Sequence, residues 1–372
     1  MSSLRLYGFI LLTGMVAAIQ GPTPYTLSYP AYFGNRINTP EDNPLTVEGV
    51  DLGRRLFYEK RLSANNTISC GSCHRQAHAF ADDRVFSTGF DQTPTKRNAM
   101  SLANLLWVRH FFWDGRAASL EAQALTPLTD PHEMGQSMDS SVRKLRAEVA
   151  YSPLFAAAFG SAPASGPTPG AASPITPDRI IRAIAQFERT LISDNSPYDR
   201  YIRGEYQPTA AERRGLALFY TNPDHIRGIR GAGCGNCHSG PKVFNETYHN
   251  NGLDSLPADP GRSGVTGMDY DRGRFRVVTL RNIALTAPYM HDGRYKTLEE
   301  VIDHYNAHVR SGPTLSPSLK DSSNIPTQLR LNPQETADLL AFLHMLTDSV
   351  FIADPRFSDP FANATLKNKT NE

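Results

Sequence analysis

The chain has 372 residues, 40% of them hydrophobic, which is enough to build two ordinary hydrophobic cores. Its 38 lysine and arginine residues nearly balance 37 aspartate and glutamate residues, so the formal net charge at pH 7 is +1. This balance argues against a nucleic-acid-binding protein and against a protein held on an anionic membrane surface, because both require a basic excess.

The N-terminal segment has the order of a secretory signal peptide. Arg5 precedes an uncharged, mostly apolar run over residues 6–18, which ends in the small residues Ala17 and Ala18. The run is too short to span a bilayer comfortably. The sequence therefore predicts a signal peptide over residues 1–21 and a soluble, periplasmic protein with no membrane span in its mature form. The alternative for this segment is a buried N-terminal helix.

Two Cys-x-x-Cys-His motifs use all four cysteines of the chain, and they are formed by Cys70, Cys73 and His74 and by Cys234, Cys237 and His238. In such a motif the two thiols bond covalently to a haem and the adjacent imidazole binds its iron. A zinc ribbon would place its cysteine pairs about 15 to 20 residues apart, whereas these pairs lie in different halves of the chain. A redox dithiol does not require a histidine after each pair. The motifs predict two covalently bound haem c groups.

The two halves of the chain resemble each other around these motifs. Residues 56–58 match 218–220, residues 101–104 match 279–282, and residues 113–116 match 291–294. Such self-similarity predicts two copies of one haem-binding unit. We assign a first domain to residues 22–203, a second domain to residues 204–352 and a C-terminal tail to residues 353–372.

Between the two motifs, residues 161–178 are rich in proline, alanine, glycine and serine, which predicts a surface loop or linker. A helix then begins at Thr176 and Pro177, and a second begins at Asn332 and Pro333. Their apolar residues recur at helical spacing, namely Ile180, Ile184, Phe187 and Leu191 in one and Leu339, Leu343 and Leu346 in the other. Because no comparable run alternates with period two, the predicted fold is mainly α, with two cytochrome c-like haem domains.

The repeat also allows the two haems to be compared on the side opposite their histidine ligands, which we call the upper face. Position 14 after Trp113 is Pro127, and position 14 after His291 is Tyr305. Proline cannot coordinate iron, so haem one would be open and haem two closed by a phenol, unless Tyr305 only packs in the core. An open iron suits peroxide binding, and a six-coordinate iron suits electron transfer. Rival ligands are Met268 and Met290 for haem two, and His78, Met100, His110, His132, Met134 and Met138 for haem one.

With these motifs the chain resembles the bacterial dihaem cytochrome c peroxidases and their relative MauG, over most of its mature length. In that family a tryptophan lies between the haems, and Trp113 matches it. A glutamine, a proline and a glutamate line the peroxide pocket, which the resemblance assigns to Gln123, Pro127 and Glu133.

The resemblance also implies a calcium ion between the haems, held by Asn98, Thr286 and Pro288. Typical peroxidases close the first haem with a loop histidine, but residues 87–92 contain none. They also place a methionine on the second haem. At that position this chain has a tyrosine, Tyr305, and so does MauG. Met290 departs from the aromatic residue that is common there, which keeps a thioether ligand open.

The activity implied by the resemblance is that of a haem peroxidase acting on hydrogen peroxide at haem one, whose iron His74 would bind. Glu133 would move the proton, Gln123 would hydrogen-bond the peroxide, and Trp113 would relay oxidising equivalents to or from haem two. The implied partner is a small cytochrome c or copper protein that donates electrons, or a protein substrate, and a homodimer is common in the family. The alternative is a dihaem electron carrier whose irons are both six-coordinate.

Overall fold

The computed structural model of the protein describes residues 21–160 and 173–362. Most of the predicted signal peptide, the larger part of the predicted linker and the polar end of the chain therefore lie outside the described residues. Within the described ranges none of the helices has the length and apolar character needed to cross a lipid bilayer.

The described part of the chain is mainly helical, as predicted, and its sheet consists of two short antiparallel strands. The helices are α1 Val47–Phe57, α2 Cys70–Cys73, α3 Leu120–Thr129, α4 Met138–Ala147, α5 Tyr151–Phe159, α6 Pro177–Arg189, α7 Pro197–Ile202, α8 Ala210–Tyr220, α9 Ser263–Thr266, α10 Leu298–Asp303 and α11 Pro333–Met345. The strands are β1 Tyr248–His249 and β2 Phe275–Arg276, with Tyr248 opposite Arg276.

Both helices predicted from caps and apolar spacing are present. Thr176 accepts a hydrogen bond from the backbone of Arg179 and Pro177 is the first residue of α6. Asn332 caps α11, and the carboxylate of Glu335 accepts a hydrogen bond from the backbone N–H of Asn332 at 2.8 Å. These reciprocal bonds satisfy backbone groups that have no partner within the helix. The apolar residues named above are buried, although Leu191 and Leu346 lie just beyond the helix ends.

Each half of the molecule contains one close helix crossing. In the first half α1 packs on α6, and a Cβ at Gly53 would lie 1.9 Å from the carbonyl oxygen of Ala183. In the second half α8 packs on α11, and a Cβ at Gly215 would lie 1.9 Å from the carbonyl oxygen of Asp338. Only glycine permits so close an approach of the two backbones. Both crossings support the segments that lead into the cysteine motifs.

A buried ion pair joins the two halves. Asp199 on α7 and Arg281 both have side chains with 0% exposure, and the guanidinium donates to the carboxylate at 2.5 and 2.7 Å. Arg281 also donates to the carbonyl of Pro241, which lies between the second haem motif and Val243. This pair therefore fixes α7 against the loop that follows His238.

The chain beyond α11 returns to the first half. Residues 353–362, predicted as part of a tail, include Phe357, which is 4% exposed. Tyr58 donates a hydrogen bond to the carbonyl of Phe357 at 2.8 Å, and Arg54 donates to that of Pro355 at 3.0 Å. This segment is packed against the end of α1.

Candidate haem sites

The first cysteine motif forms α2, and His74 follows it directly. The Nδ1 atom of His74 lies 2.8 Å from the carbonyl oxygen of Phe80. This hydrogen bond places the ring proton on Nδ1 and leaves Nε2 free to bind a metal. Burial lowers the pKa of His74, which favours the neutral imidazole that iron requires.

The second motif has the same arrangement. Cys234 and Cys237 lie on one short turn, and Nδ1 of His238 is 3.4 Å from the carbonyl oxygen of Val243. Burial lowers the pKa of His238 to about 4. In both motifs, therefore, a neutral imidazole is oriented by a backbone carbonyl with Nε2 available.

A cavity of about 970 Å³ adjoins the second motif. Cys234, Cys237 and His238 line it, and its size falls within the range of about 300–1,000 Å³ that is usual for cofactor sites. Arg276, which is 6% exposed, also lines it and has no carboxylate within salt-bridge distance among the described residues. The charge of Glu246 acts on this guanidinium, but the two groups form no salt bridge. A buried guanidinium that lacks a direct carboxylate contact fits a cofactor that carries carboxylates, as haem does through its propionates. The residues present thus fit a covalent haem.

Two of the predicted ligands for haem two line this cavity together. Tyr305 lies on a π-helical turn, His304–His308, that continues α10. The side-chain amide of Asn251 donates to the phenol oxygen of Tyr305 at 3.2 Å and contacts the sulfur of Met290 at 3.4 Å. Burial raises the pKa of Tyr305 to about 12. Met268, the third candidate, is 52% exposed and is not on the cavity wall.

The residues predicted above haem one come from α3 and the loop after it. Gln123 and Pro127 are four residues apart, on one face of α3. The Oε1 atom of Gln123 is buried without a hydrogen-bond partner. Burial, and then the charge of Asp130, raise the pKa of Glu133. The negative charge of Glu133 also contributes to raising the pKa of Cys73, after burial and the charge of Asp82.

The rival ligands for haem one lie in different surroundings. His110 is exposed, and the side chain of His132 is 62% exposed and lies 3.2 Å from Asp91. Met100 is on the wall of the haem-two cavity. Met134 is buried in the core that also contacts Cys70. His78 lies 3.9 Å from Asp83, and Met138 packs at the edge of the same core as Met134.

Trp113 and the three predicted calcium residues lie on the wall of the haem-two cavity. The indole of Trp113 donates a hydrogen bond to the carbonyl of Asn98 at 2.9 Å. The side-chain amide of Asn98 donates to the carbonyls of Arg84 at 3.0 Å and Val85 at 3.2 Å, which orients its oxygen away from them. Asn98, Thr286 and Pro288 thus line the same cavity, and amide and backbone carbonyl oxygens are ligands of the kind that calcium prefers.

Three residues of these sites were not identified from the sequence. In the predicted repeat Arg276 corresponds to Asn98, three positions before the matched residues 101 and 279, and that comparison could have revealed it. Asn251 gives no local signal, because its partners come from distant parts of the chain. Glu188 is buried within α6, where burial raises its pKa to about 8 and its Oε2 has no hydrogen-bond partner.

Comparisons with known proteins identify the family. A family profile described as "Di-haem cytochrome c peroxidase" matches residues 47–207. The chain is 38% identical to the methylamine utilization protein MauG of Methylorubrum extorquens, over 82% of this chain and 80% of that protein. It is 32% identical to the cytochrome c551 peroxidase of Nitrosomonas europaea, over 82% of this chain and 81% of that protein.

A solved structure agrees with these sequence comparisons. The crystal structure of a MauG-like protein associated with microbial copper homeostasis superposes with a TM-score of 0.79 and 40% identity. The match covers 91% of this chain and 99% of that one. The predicted family is thereby confirmed. The chain belongs to the dihaem cytochrome c peroxidase and MauG family and is a haem peroxidase-type enzyme.

Proposed function

We propose that the enzyme reacts with hydrogen peroxide at the haem of the first motif, while the haem of the second motif stores or relays oxidising equivalents. The proposal is carried by two side chains that the family resemblance assigns to the peroxide pocket, one on α3 and one in the loop after it. Gln123 presents a buried, unpartnered oxygen, and Glu133 is a carboxyl group whose pKa burial raises. Neither group is a usual haem ligand, and both suit the handling of a small hydrogen-bonding substrate.

The roles of the residues follow from their chemistry. When bound, haem one supplies an iron at which hydrogen peroxide is reduced, and His74 holds that iron from one side. Glu133 would accept a proton from one peroxide oxygen and return it to the other, outer oxygen. Gln123 accepts a hydrogen bond from the peroxide and orients it. The outer oxygen would thereby leave as water rather than as hydroxide, and the two electrons that cleavage of the O–O bond consumes would come from the two haem groups.

The second haem has a different proposed role. Tyr305 closes it as a phenolate, whose negative charge favours the higher oxidation states of iron. Since the pKa of free Tyr305 is raised to about 12, the bound ferric ion must supply the charge that removes its proton. The two halves are proposed to be copies of one haem-binding unit, with calcium held between them by Asn98, Thr286 and Pro288.

The cellular setting belongs to the same proposal. The N-terminal signal-peptide pattern directs the protein to the periplasm, where a small cytochrome or copper protein supplies electrons or a protein substrate is oxidised. These two kinds of partner follow from the names of the relatives, a cytochrome c551 peroxidase and the methylamine utilization protein MauG.

The test is an optical and electron paramagnetic resonance spectrum of the diferric protein before and after one equivalent of hydrogen peroxide, without reductant. One high-spin and one low-spin haem, with immediate bleaching by peroxide, are expected. Two low-spin haems that react only after half-reduction would instead indicate a reductively activated peroxidase. Two low-spin haems that stay inert after half-reduction would contradict the proposal and favour a dihaem electron carrier.

Replacing Tyr305 with phenylalanine is expected to remove the low-spin signal of haem two, because the ring remains and only the coordinating oxygen is lost. The measurement is electron paramagnetic resonance of the diferric protein. Met290→Leu is the matched control, since Asn251 contacts both side chains. A low-spin signal that survives Tyr305→Phe and is lost in Met290→Leu would assign the ligand to the thioether.

Trp113→Phe is expected to slow electron transfer between the haems while both haems stay bound, because phenylalanine is harder to oxidise than indole. Stopped-flow spectroscopy of the half-reduced protein measures this rate. The chain's second tryptophan gives the control: Trp107 is 5% exposed and donates to the carbonyl of Gly34 at 3.0 Å, away from the cavity wall. An unchanged rate in Trp113→Phe, or an equal loss in Trp107→Phe, would exclude the relay.

A further inference from the structure

Residues 351–357, which we call the C-terminal strap, lie against the first half of the molecule although they follow α11 of the second half. Phe351 and Phe357 are 2% and 4% exposed, in the core that contains Phe57 and Phe80. The strap is also held by polar contacts, among them a hydrogen bond from the side chain of Gln76 to the carbonyl of Asp354 at 2.8 Å. The strap is therefore a fixed part of the first haem unit.

The strap contacts the residue that orients the first haem ligand. The carbonyl oxygen of Phe80 is the acceptor for Nδ1 of His74, at 2.8 Å. The ring of Phe80 lies 5.6 Å from that of Phe351 and 6.4 Å from that of Phe357, between ring centroids. A third aromatic neighbour, Phe57, lies at 6.0 Å. Two of these three aromatic neighbours thus come from the strap.

The backbone at Phe80 needs such support. Ala79 and Phe80 have φ angles of 51° and 61°, in the left-handed region that residues with a Cβ rarely adopt. A conformation of this kind persists only where the surrounding packing holds it. Because both residues are 0% exposed, the packing around Phe80 determines where its carbonyl points.

The corresponding turn of the second motif differs. Val243 also has a positive φ angle, of 55°, but its carbonyl oxygen is 3.4 Å from Nδ1 of His238. That oxygen also accepts the backbone N–H of Leu280 at 3.3 Å. The first imidazole therefore has the shorter hydrogen bond, at the turn that the strap covers.

We propose that Phe351 and Phe357 are positioning residues for the ligand of haem one, acting through Phe80. The strap holds the Phe80 carbonyl against Nδ1–H of His74 and so strengthens the imidazole as a donor to iron, which favours the ferric state and lowers the reduction potential of that haem. Since the strap follows α11 in the chain, it links the reduction potential of haem one to the second half of the molecule. The inference rests on the proposed binding of haem by His74.

The test uses the full-length protein with both haems bound. In Phe357→Ala the redox equilibrium of haem one is expected to shift about tenfold toward the ferrous state, which for one electron is about 59 mV. The iron–histidine stretching frequency of reduced haem one, measured by resonance Raman spectroscopy, is expected to fall. Haem two is expected to keep its potential. Phe357→Leu, which retains most of the apolar volume, is expected to recover most of both signals.

A core variant separates this effect from general destabilisation. Phe155 on α5 is 0% exposed and packs against Tyr151 at 6.4 Å and Phe159 at 6.5 Å, away from Phe80. Phe155→Ala is expected to lower stability without moving the potential of haem one. An equal shift in Phe155→Ala, or wild-type values in Phe357→Ala, would overturn the inference.

A second variant keeps the test decisive if Phe357→Ala does not fold. Tyr58→Phe removes only the hydroxyl that bonds the carbonyl of Phe357, and a smaller shift in the same direction is expected. No shift in the potential of haem one in Tyr58→Phe would then overturn the inference. Inertness toward peroxide would contradict the proposed function instead, because these potentials are measured without peroxide.

Discussion

Glu133→Gln is expected to slow the reaction with hydrogen peroxide by about 10²- to 10⁴-fold, the usual contribution of general acid–base catalysis, with both haems still attached. Glutamine has nearly the same shape and still forms hydrogen bonds, but it cannot accept and return the proton. Single-turnover bleaching by peroxide in a stopped-flow instrument measures the effect. Glu41→Gln, at an exposed position, is the matched control and is expected to leave the rate unchanged.

The pH dependence gives this prediction a second signature. Burial raises the pKa of Glu133, so its carboxyl becomes protonated at a higher pH than that of an ordinary glutamate. Only the ionised form can accept the peroxide proton, and the wild-type rate is therefore expected to fall as pH drops through this raised pKa. Glu133→Gln should lose that acid limb. Full activity in Glu133→Gln, or an unchanged acid limb, would exclude Glu133 as the proton carrier.

Asp199→Asn is expected to lower the free energy of unfolding by about 3–5 kcal/mol, because it leaves the Arg281 guanidinium buried without a counter-charge. Both side chains are 0% exposed. Asp199 also accepts hydrogen bonds from the backbone and hydroxyl of Ser196 at 2.9 and 2.6 Å. Urea unfolding of the protein with both haems bound measures the loss.

An exposed ion pair provides the comparison for this stability prediction. Arg227 lies 3.6 Å from Asp224, and its side chain is 79% exposed. Solvent screens such a pair, so Arg227→Ala is expected to change the free energy of unfolding by no more than about 1 kcal/mol. Similar losses in Asp199→Asn and Arg227→Ala would show that the buried pair does not stabilise the joint between the halves.

Local sequence signals predicted two of the helices, α6 and α11. The start of α6 at Thr176 and of α11 at Asn332 depends on neighbouring residues, since a cap bonds backbone groups two or three positions away. The cysteine motifs are local in the same sense, because each one places two thiols and an imidazole on one short turn. Such features can be predicted without knowledge of the rest of the fold.

Contacts between distant segments could not be predicted in this way. Phe351 and Phe357 show no helical or strand period, and their partner Phe80 belongs to the other end of the chain. The sequence therefore assigned Phe351 to the end of the second domain and Phe357 to the tail. Asn251 lies in a loop, and its link to Tyr305 exists only once α10 has folded beside it. The roles of Glu133, Gln123 and the calcium residues came from family resemblance and stay predictions.

The hydrogen bonds to His74 and His238 have a consequence for how these haems can change in evolution. The acceptor in each case is a main-chain carbonyl, of Phe80 or of Val243. No codon change at either position can delete a peptide oxygen, so the orientation of both imidazoles resists point mutation. Substitution can only move the oxygen by altering what packs around it. Substitutions in the surrounding packing can therefore change the reduction potential gradually. No single substitution removes the carbonyl that orients the imidazole.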